Sequence, residues 1–400
     1  MQMSDSDERR GTPAEVFGAF LRLGLTSFGG PIAHLGYFRA EFVLKRRWLE
    51  DAAYAELVGL CQFLPGPASS QTGFVLGWQR AGPLGAFAAW TGFTLPSALV
   101  MAALGLGAAH LEGPLAASLV HGLKLVAIVI VAQAVWGMAR TLTPDLTRRA
   151  IAIVTALLVA LSPGAVAQIG AIMLGGLLGL LLCRRTTAEV GDSTALPITR
   201  PLALLLLALF AGLLAGTASF AADRNHPLLS LFAIFYRAGA LVFGGGHVVL
   251  PLLRSELVPA GLIGDDDFLA GYGAAQALPG PLFAIAAYVG ALSGGTIPSA
   301  LAALLCIFAP GLLIVSGAFP FWTAIRASVL ARATVAGVNA AVVGILAHAL
   351  YDPLWTTGIT GFGDIVLVAI GLALLLLRKL PPVIVVGAMV AGSIVLHLSS

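Results

Sequence analysis

The sequence predicts an all-α polytopic membrane protein made of two inverted-topology repeats, with broken or re-entrant half-helices at mid-membrane. Three observations carry that reading. Of 400 residues, 58% are hydrophobic and only 10% are charged, whereas about a quarter of an ordinary soluble globule is charged. The 48 glycines exceed what soluble helices use, but membrane helices need them for close packing and for breaks satisfied inside the protein. Residues 20–43 also align without gaps on residues 235–258, with ten of twenty-four positions identical, the signature of an internal repeat.

Residues 1–13 read as a polar tail. Ser4, Asp5, Asp7, Glu8, Arg9 and Arg10 precede the first apolar run, and no small-residue cleavage site follows, so no cleaved signal peptide is expected. The first repeat, 14–183, opens with half-helices 17–28 and 31–43 split at Gly29-Gly30-Pro31, then 54–64 and 68–79 split at Pro65-Gly66-Pro67. At 1.5 Å per residue each half-helix is about 16–18 Å long, roughly half of a 30 Å hydrocarbon core. Apolar runs at 84–108, 115–139, 149–162 and 165–183 complete the repeat.

Residues 184–228 form a linker and one extra helix. Arg184 to Arg200 is polar and carries Gly191 and Pro197, and the run at 201–220 stands alone between the halves. The second repeat, 229–400, restates the first. Phe20/Phe235, Arg22/Arg237, Gly24/Gly239, Phe28/Phe243, Gly29/Gly244, Gly30/Gly245, Arg39/Arg254 and Glu41/Glu256 correspond. With one residue deleted, Gln62-Phe63-Leu64-Pro65-Gly66-Pro67 matches Gln276-Ala277-Leu278-Pro279-Gly280-Pro281, Pro96 matches Pro310, and Gly122 matches Gly337. Its apolar runs are 297–319, 329–350, 361–377 and 381–398.

Charge bias orients the chain. With a cytoplasmic N-terminus and hairpin breaks, Arg9, Arg10, Lys45, Arg46, Arg47, Arg80, Arg140, Arg148, Arg149, Arg184, Arg185, Arg200, Arg326, Arg332, Arg378 and Lys379 fall inside, while Arg224, Arg254 and Asp265-Asp266-Asp267 fall outside. The odd helix at 201–220 inverts the second repeat, the plan of many secondary transporters. If the broken segments cross the membrane instead, only the Lys45-Arg46-Arg47 and Asp265-Asp266-Asp267 loops change side.

A mid-membrane break is costly unless it lines a cavity or is buried in protein, so breaks recurring in both halves point to a site. Gly29, Gly30, Pro31, Gly66, Pro67 and Ser69 in one half, with Gly244, Gly245, Gly246, Gly280 and Pro281 in the other, place helix N-termini toward the interior, where free N–H groups and the dipole favour anions. A packing kink without ligand is the bland alternative. Arg22 and Arg237 lie inside apolar runs, where function is the default. The forks of Arg39 and Arg254 suit an oxyanion, but Glu41 and Glu256 beside them also allow interfacial pairs. Gln62 and Gln276 can donate to an anion or cap a half-helix. Lys124 faces substrate charge, carries a proton or pairs internally, and Asn339 is its counterpart. His34 and His247 read as structural histidines, and Glu56 has Ala270 as its counterpart.

Phe28-Gly29-Gly30-Pro31 followed by Arg39, and Gln62 to Pro67, repeated as Phe243-Gly244-Gly245-Gly246 and Gln276 to Pro281, resemble the chromate ion transporter family in its long, two-domain form. The resemblance covers roughly 15–183 and 229–398. It implies efflux of chromate, with sulfate as the physiological look-alike, since both are tetrahedral dianions. Gly246 in place of proline and Lys124 opposite Asn339 depart from equivalence between the halves.

Other classes fit less well. None of the three lysines precedes Ser or Thr, so no P-loop exists. An inside-negative potential of about 100 mV contributes roughly 4.6 kcal/mol to the exit of a dianion, whereas uptake needs a co-transported cation. A sulfate or other oxyanion exchanger or importer is the alternative reading. Tyr351-Asp352 with Gly361-Phe362-Gly363-Asp364 imitates an intramembrane aspartyl protease, but both aspartates end apolar runs, where turn and capping chemistry explains them. A non-transporting scaffold would carry no flux. Cys61, Cys183 and Cys306 have no metal-ligand spacing. The expected partners are an oxyanion, the lipid bilayer of the cell's inner membrane and, as an open option, a second copy in a homodimer. No enzyme activity, cofactor, metal or nucleic acid is expected.

Overall fold

The computed structural model describes residues 11–108, 113–184, 198–220, 227–378 and 380–399, and among these it is all-helical. Arg9, Arg10, Arg185, Arg224, Lys379 and most of the polar linker lie outside the described residues. The first repeat runs α1 (Pro13–Thr26), α2 (Gly30–Phe38), α3 (Asp51–Phe63), α4 (Ala68–Ala108), α5 (Pro114–Leu142), α6 (Leu146–Leu161) and α7 (Ala165–Leu182). α8 (Arg200–Phe220) follows. The second runs α9 (Pro227–Leu241), α10 (Val249–Leu257), α11 (Asp265–Ala277), α12 (Ile285–Gly294), α13 (Ile297–Ala318), α14 (Trp322–Ala327), α15 (Val329–Ala349), the single turn α16 (Thr356–Gly358), α17 (Phe362–Leu376) and α18 (Pro382–Ser399). Six helical stretches among the described residues are long and apolar enough to cross a membrane, and the chain is a multi-pass membrane protein.

The breaks fall where the residues require them. α1 begins at Thr12, whose side chain accepts from the Glu15 N–H, with Pro13 in the first turn, and it ends at extended Ser27. Gly29 and Gly30 then take left-handed φ of 101° and 74°, which L side chains avoid, and Pro31 sits in the first turn of α2. α4 holds both segments expected at 68–79 and 84–108 as two arms: the backbone leaves the helical region at Ala81 and Gly82 and the chain folds back there, so that the Phe74 and Phe87 rings lie 5.7 Å apart. A short π-helical stretch, Arg39–Lys45, continues α2, and the chain breaks at Asp352, whose backbone is extended, between α15 and α16.

Glycines set the helix contacts. A Cβ at Gly24 would stand 2.7 Å from the Phe93 carbonyl oxygen, and its counterpart Gly239 meets the Ile307 carbonyl in the same way. The long helices exchange partners between halves: α5 packs on α17 and α18, and α15 packs on α6 and α7. Gly122 lies against Val390, and Gly337 against Gly175. Backbones therefore approach to a distance that only small residues allow.

Candidate functional site

The interruptions of the two halves bind each other. The Gly66 N–H donates to the Val242 carbonyl at 2.7 Å, and the Gly280 N–H donates to the Ser27 carbonyl at 3.0 Å. Gly66 and Gly280, at φ 119° and 98°, correspond in the repeat, as do Ser27 and Val242. Gly66 packs on Gly311, one residue past Pro310, and Gly280 packs on Ser97, one residue past Pro96. These two amides were expected to be free for an anion, and they are instead satisfied across the interface, as buried N–H groups must be. Pro65, Gly66, Pro67, Gly280 and Pro281 are buried.

The first breaks also meet. A Cβ at Gly246 would lie 3.3 Å from Pro31 Cγ, so a proline ring there would collide with its own counterpart. Gly30 faces His247, and Gly244 lies by Met138 and Asn339 Oδ1. Gly244 and Gly245 are half-buried, and Gly29 is exposed.

The cations divide by position. Arg39 makes a two-pronged pair with Asp51 at 2.6 and 2.8 Å, and Arg254 repeats it with Asp265 at 2.6 and 2.9 Å. Arg39's hydrogen bonds hold the Asp51 carboxyl below the usual aspartate range, and Asp51 raises the Arg39 guanidinium. Arg237 is clasped by Glu256, while Arg22 is exposed on α1 and Glu41 pairs with Lys45 and Arg46 instead. Lys124 is buried and reaches Asp266 of the other half at 2.6 Å. Arg326 Nη1 reaches Glu56 Oε1 across the halves at 2.7 Å, with both side chains largely buried. The sequence named these cations but missed their carboxylates; only the recurrence of Asp51 and Asp265 twelve and eleven residues after the arginines could have signalled them.

The neutral groups are less committed. Ser69 Oγ lies 3.4 Å from His34 Nδ1, Gln71 donates to the Pro65 and Gly311 carbonyls at 2.8 and 2.9 Å, and His247 meets the Tyr272 hydroxyl at 2.9 Å. Gln62 is exposed. Gln276 Nε2, Asn339 Oδ1, Ser27 Oγ, His34 Nε2, Ser70 Oγ and Thr94 Oγ1 are buried without a hydrogen-bond partner. Ser27 and Thr94 are not signalled by the sequence, because isolated hydroxyls in apolar runs carry no spacing signal, whereas Ser70 follows Ser69 just after Pro67.

A cleft of about 290 Å³ lies away from the breaks, lined among others by Gln168, Arg254, His348 and Asp352. Asp364 accepts from His121 at 2.8 Å and from the Thr360 and Gly361 amides, so it caps α17, while Asp352 is exposed. The protease-like pair is therefore a capping residue in the first turn of α17 and an exposed aspartate. Among the described residues no cluster of His, Cys, Asp or Glu could hold a metal ion.

Comparison with known proteins places these features in context. The chromate transporter family profile matches residues 14–180 and again residues 229–394. The chain is 30% identical to a chromate transport protein of Pseudomonas aeruginosa over 84% of this chain and 80% of that one. It is 30% identical to a probable chromate transport protein of Synechococcus elongatus over 94% and 93%. The uncharacterized transporter YwrB of Bacillus subtilis is 36% identical over 35% of this chain and 75% of its own length. No solved structure matches.

Proposed function

Because the chain belongs to the chromate transporter family, we propose that it is a secondary transporter exporting chromate from the cytoplasm across the inner membrane, with its N-terminus cytoplasmic. The observation that carries the reading is the double family match, one to each half of a membrane protein whose interrupted helices interlock. The family makes the chain a transporter rather than an enzyme. Outward flux of a dianion is already favoured by roughly 4.6 kcal/mol at about 100 mV, so export needs little further coupling.

Alternating access needs contacts between the halves that open in turn. Glu56–Arg326 and Lys124–Asp266 both join one half to the other. Under the charge-derived topology they sit toward opposite faces, the first cytoplasmic and the second external. Residues 46 and 266 changed to cysteine should therefore label from opposite sides. Labelling from the same side would remove the inverted arrangement.

The decisive experiment is chromate uptake into inside-out vesicles, with sulfate, molybdate and phosphate as competitors. Uptake driven by an inside-positive potential supports export. Chromate uptake only into right-side-out vesicles would make the protein an importer, and sulfate-dependent exchange would make it an exchanger.

A further inference from the structure

Resting on the reading that this is an oxyanion transporter, the geometry points to a single oxyanion site in the first half only, built from the neutral hydroxyls of Ser27, Ser70 and Thr94, with the His34 ring beside them, at the N-terminus of α4. Each of these side chains has a polar atom with no partner, and the four residues are 0%, 1%, 2% and 1% exposed. Buried polar groups are otherwise satisfied almost everywhere in folded proteins, so four together mark a place where something else supplies the acceptor.

They are neighbours. His34 Nδ1 lies 3.4 Å from Ser69 Oγ in the first turn of α4, and its ring stands edge-on to Phe93 with centroids 5.1 Å apart. Thr94 follows Phe93, and its carbonyl accepts from Ser97. Ser27 is bonded through its carbonyl to Gly280, which packs on Ser97 and the Phe93 carbonyl. Ser70 adjoins Ser69, and the α4 N-terminus adds its positive dipole end.

The second half is an internal control. At the repeat offsets established by the shared motifs, Ser27, His34, Ser69, Ser70, Thr94 and Ser97 correspond to Val242, Val249, Phe283, Ala284, Phe308 and Gly311. The backbone architecture is kept while every one of these polar groups is lost. Packing would ask for the same residue types in both copies; a site needed once asks for them in one. Arg39, Arg237 and Arg254 are committed to carboxylates and Arg22 is exposed on α1, so selection here rests on hydrogen bonds rather than on net charge. Donors without a carboxylate suit a fully deprotonated tetrahedral dianion such as sulfate or chromate. Hydrogen phosphate brings a P–OH that must itself donate, and the acceptors it meets here are neutral hydroxyl oxygens, weaker than the carboxylate that would favour it over sulfate.

The test is direct binding of sulfate, chromate and hydrogen phosphate to the purified full-length protein by equilibrium dialysis. Ser27→Ala and Thr94→Val should each weaken sulfate and chromate binding by about tenfold or more, while Val249→Thr in the second half leaves it unchanged. Monodisperse elution and an unchanged Tm show that the variants are folded. Wild-type affinity in folded Ser27→Ala and Thr94→Val would overturn the site, as would phosphate competing as well as sulfate. If the wild-type protein itself binds none of the three, the transport reading fails first, and the two failures are thereby distinguished.

Discussion

Arg22 and Arg237 occupy the same position in the two halves, yet Arg22 lies exposed on α1 while Arg237 is clasped by Glu256 and also reaches the Thr217 carbonyl of α8. The glutamates diverge with them, since Glu41 serves Lys45 and Arg46 of its own loop. Of the two arginines, Arg237 is the one that the extra helix α8 contacts. Sequence equivalence therefore preserved the residues and the backbone but not the electrostatic partners.

The comparison predicts its own largest effect. Arg237→Ala should strand a buried carboxylate and cost about 3–5 kcal/mol, whereas Arg22→Ala should stay within about 0.5 kcal/mol. Thermal melting of the two purified variants checks this, and equal losses would erase the distinction. Since Arg22→Ala is not expected to unfold the protein, loss of flux in that variant would assign Arg22 to the substrate path, and unchanged flux would remove it.

The two bridges between the halves come next. Glu56–Arg326 is buried on both sides, with side chains 9% and 14% exposed, whereas in the other bridge Lys124 is 10% and Asp266 67% exposed. Arg326→Gln, which strands a carboxylate in a pair buried on both sides, should therefore cost several kcal/mol, and Asp266→Asn, which strands Lys124 beside an open face, should cost less, read from denaturation midpoints. A larger loss for Asp266→Asn would reverse the ranking.

The meeting of Pro31 with Gly246 gives a sharper test of symmetry. Gly246→Pro copies the first-half sequence into the second, yet it should destabilise by about 1–3 kcal/mol through overpacking. Adding Pro31→Gly should restore most of the loss. Independent effects of the two changes would show that the breaks do not touch.

The smallest effect concerns Asp51, whose folded-state pKa is depressed by Arg39. A depressed carboxylate pKa contributes stability that is fully present above the unfolded value of about 3.9 and is lost as pH falls through the lower folded value. Melting curves of wild type and Arg39→Gln should thus differ above about pH 4 and converge in stronger acid. Curves that stay parallel would mean the pair does not contribute.

The chain's own order of residues was enough to show what local chemistry decides. Low charge and long apolar runs dictate membrane helices, Pro65-Gly66-Pro67 and Gly29-Gly30-Pro31 dictate where they break, and the recurrence of both motifs dictates two copies of one architecture. The structure keeps those breaks within a residue or two. What tertiary contact alone decided is which groups remain unsatisfied. The Gly66 and Gly280 amides found carbonyls in the opposite half, Lys124 and Glu56 found charges there, and Ser27, Ser70 and Thr94 were left without partners. A hydrogen bond or ion pair between residues hundreds of positions apart leaves no periodicity in the sequence, because it depends on where two helices cross and not on how either one repeats.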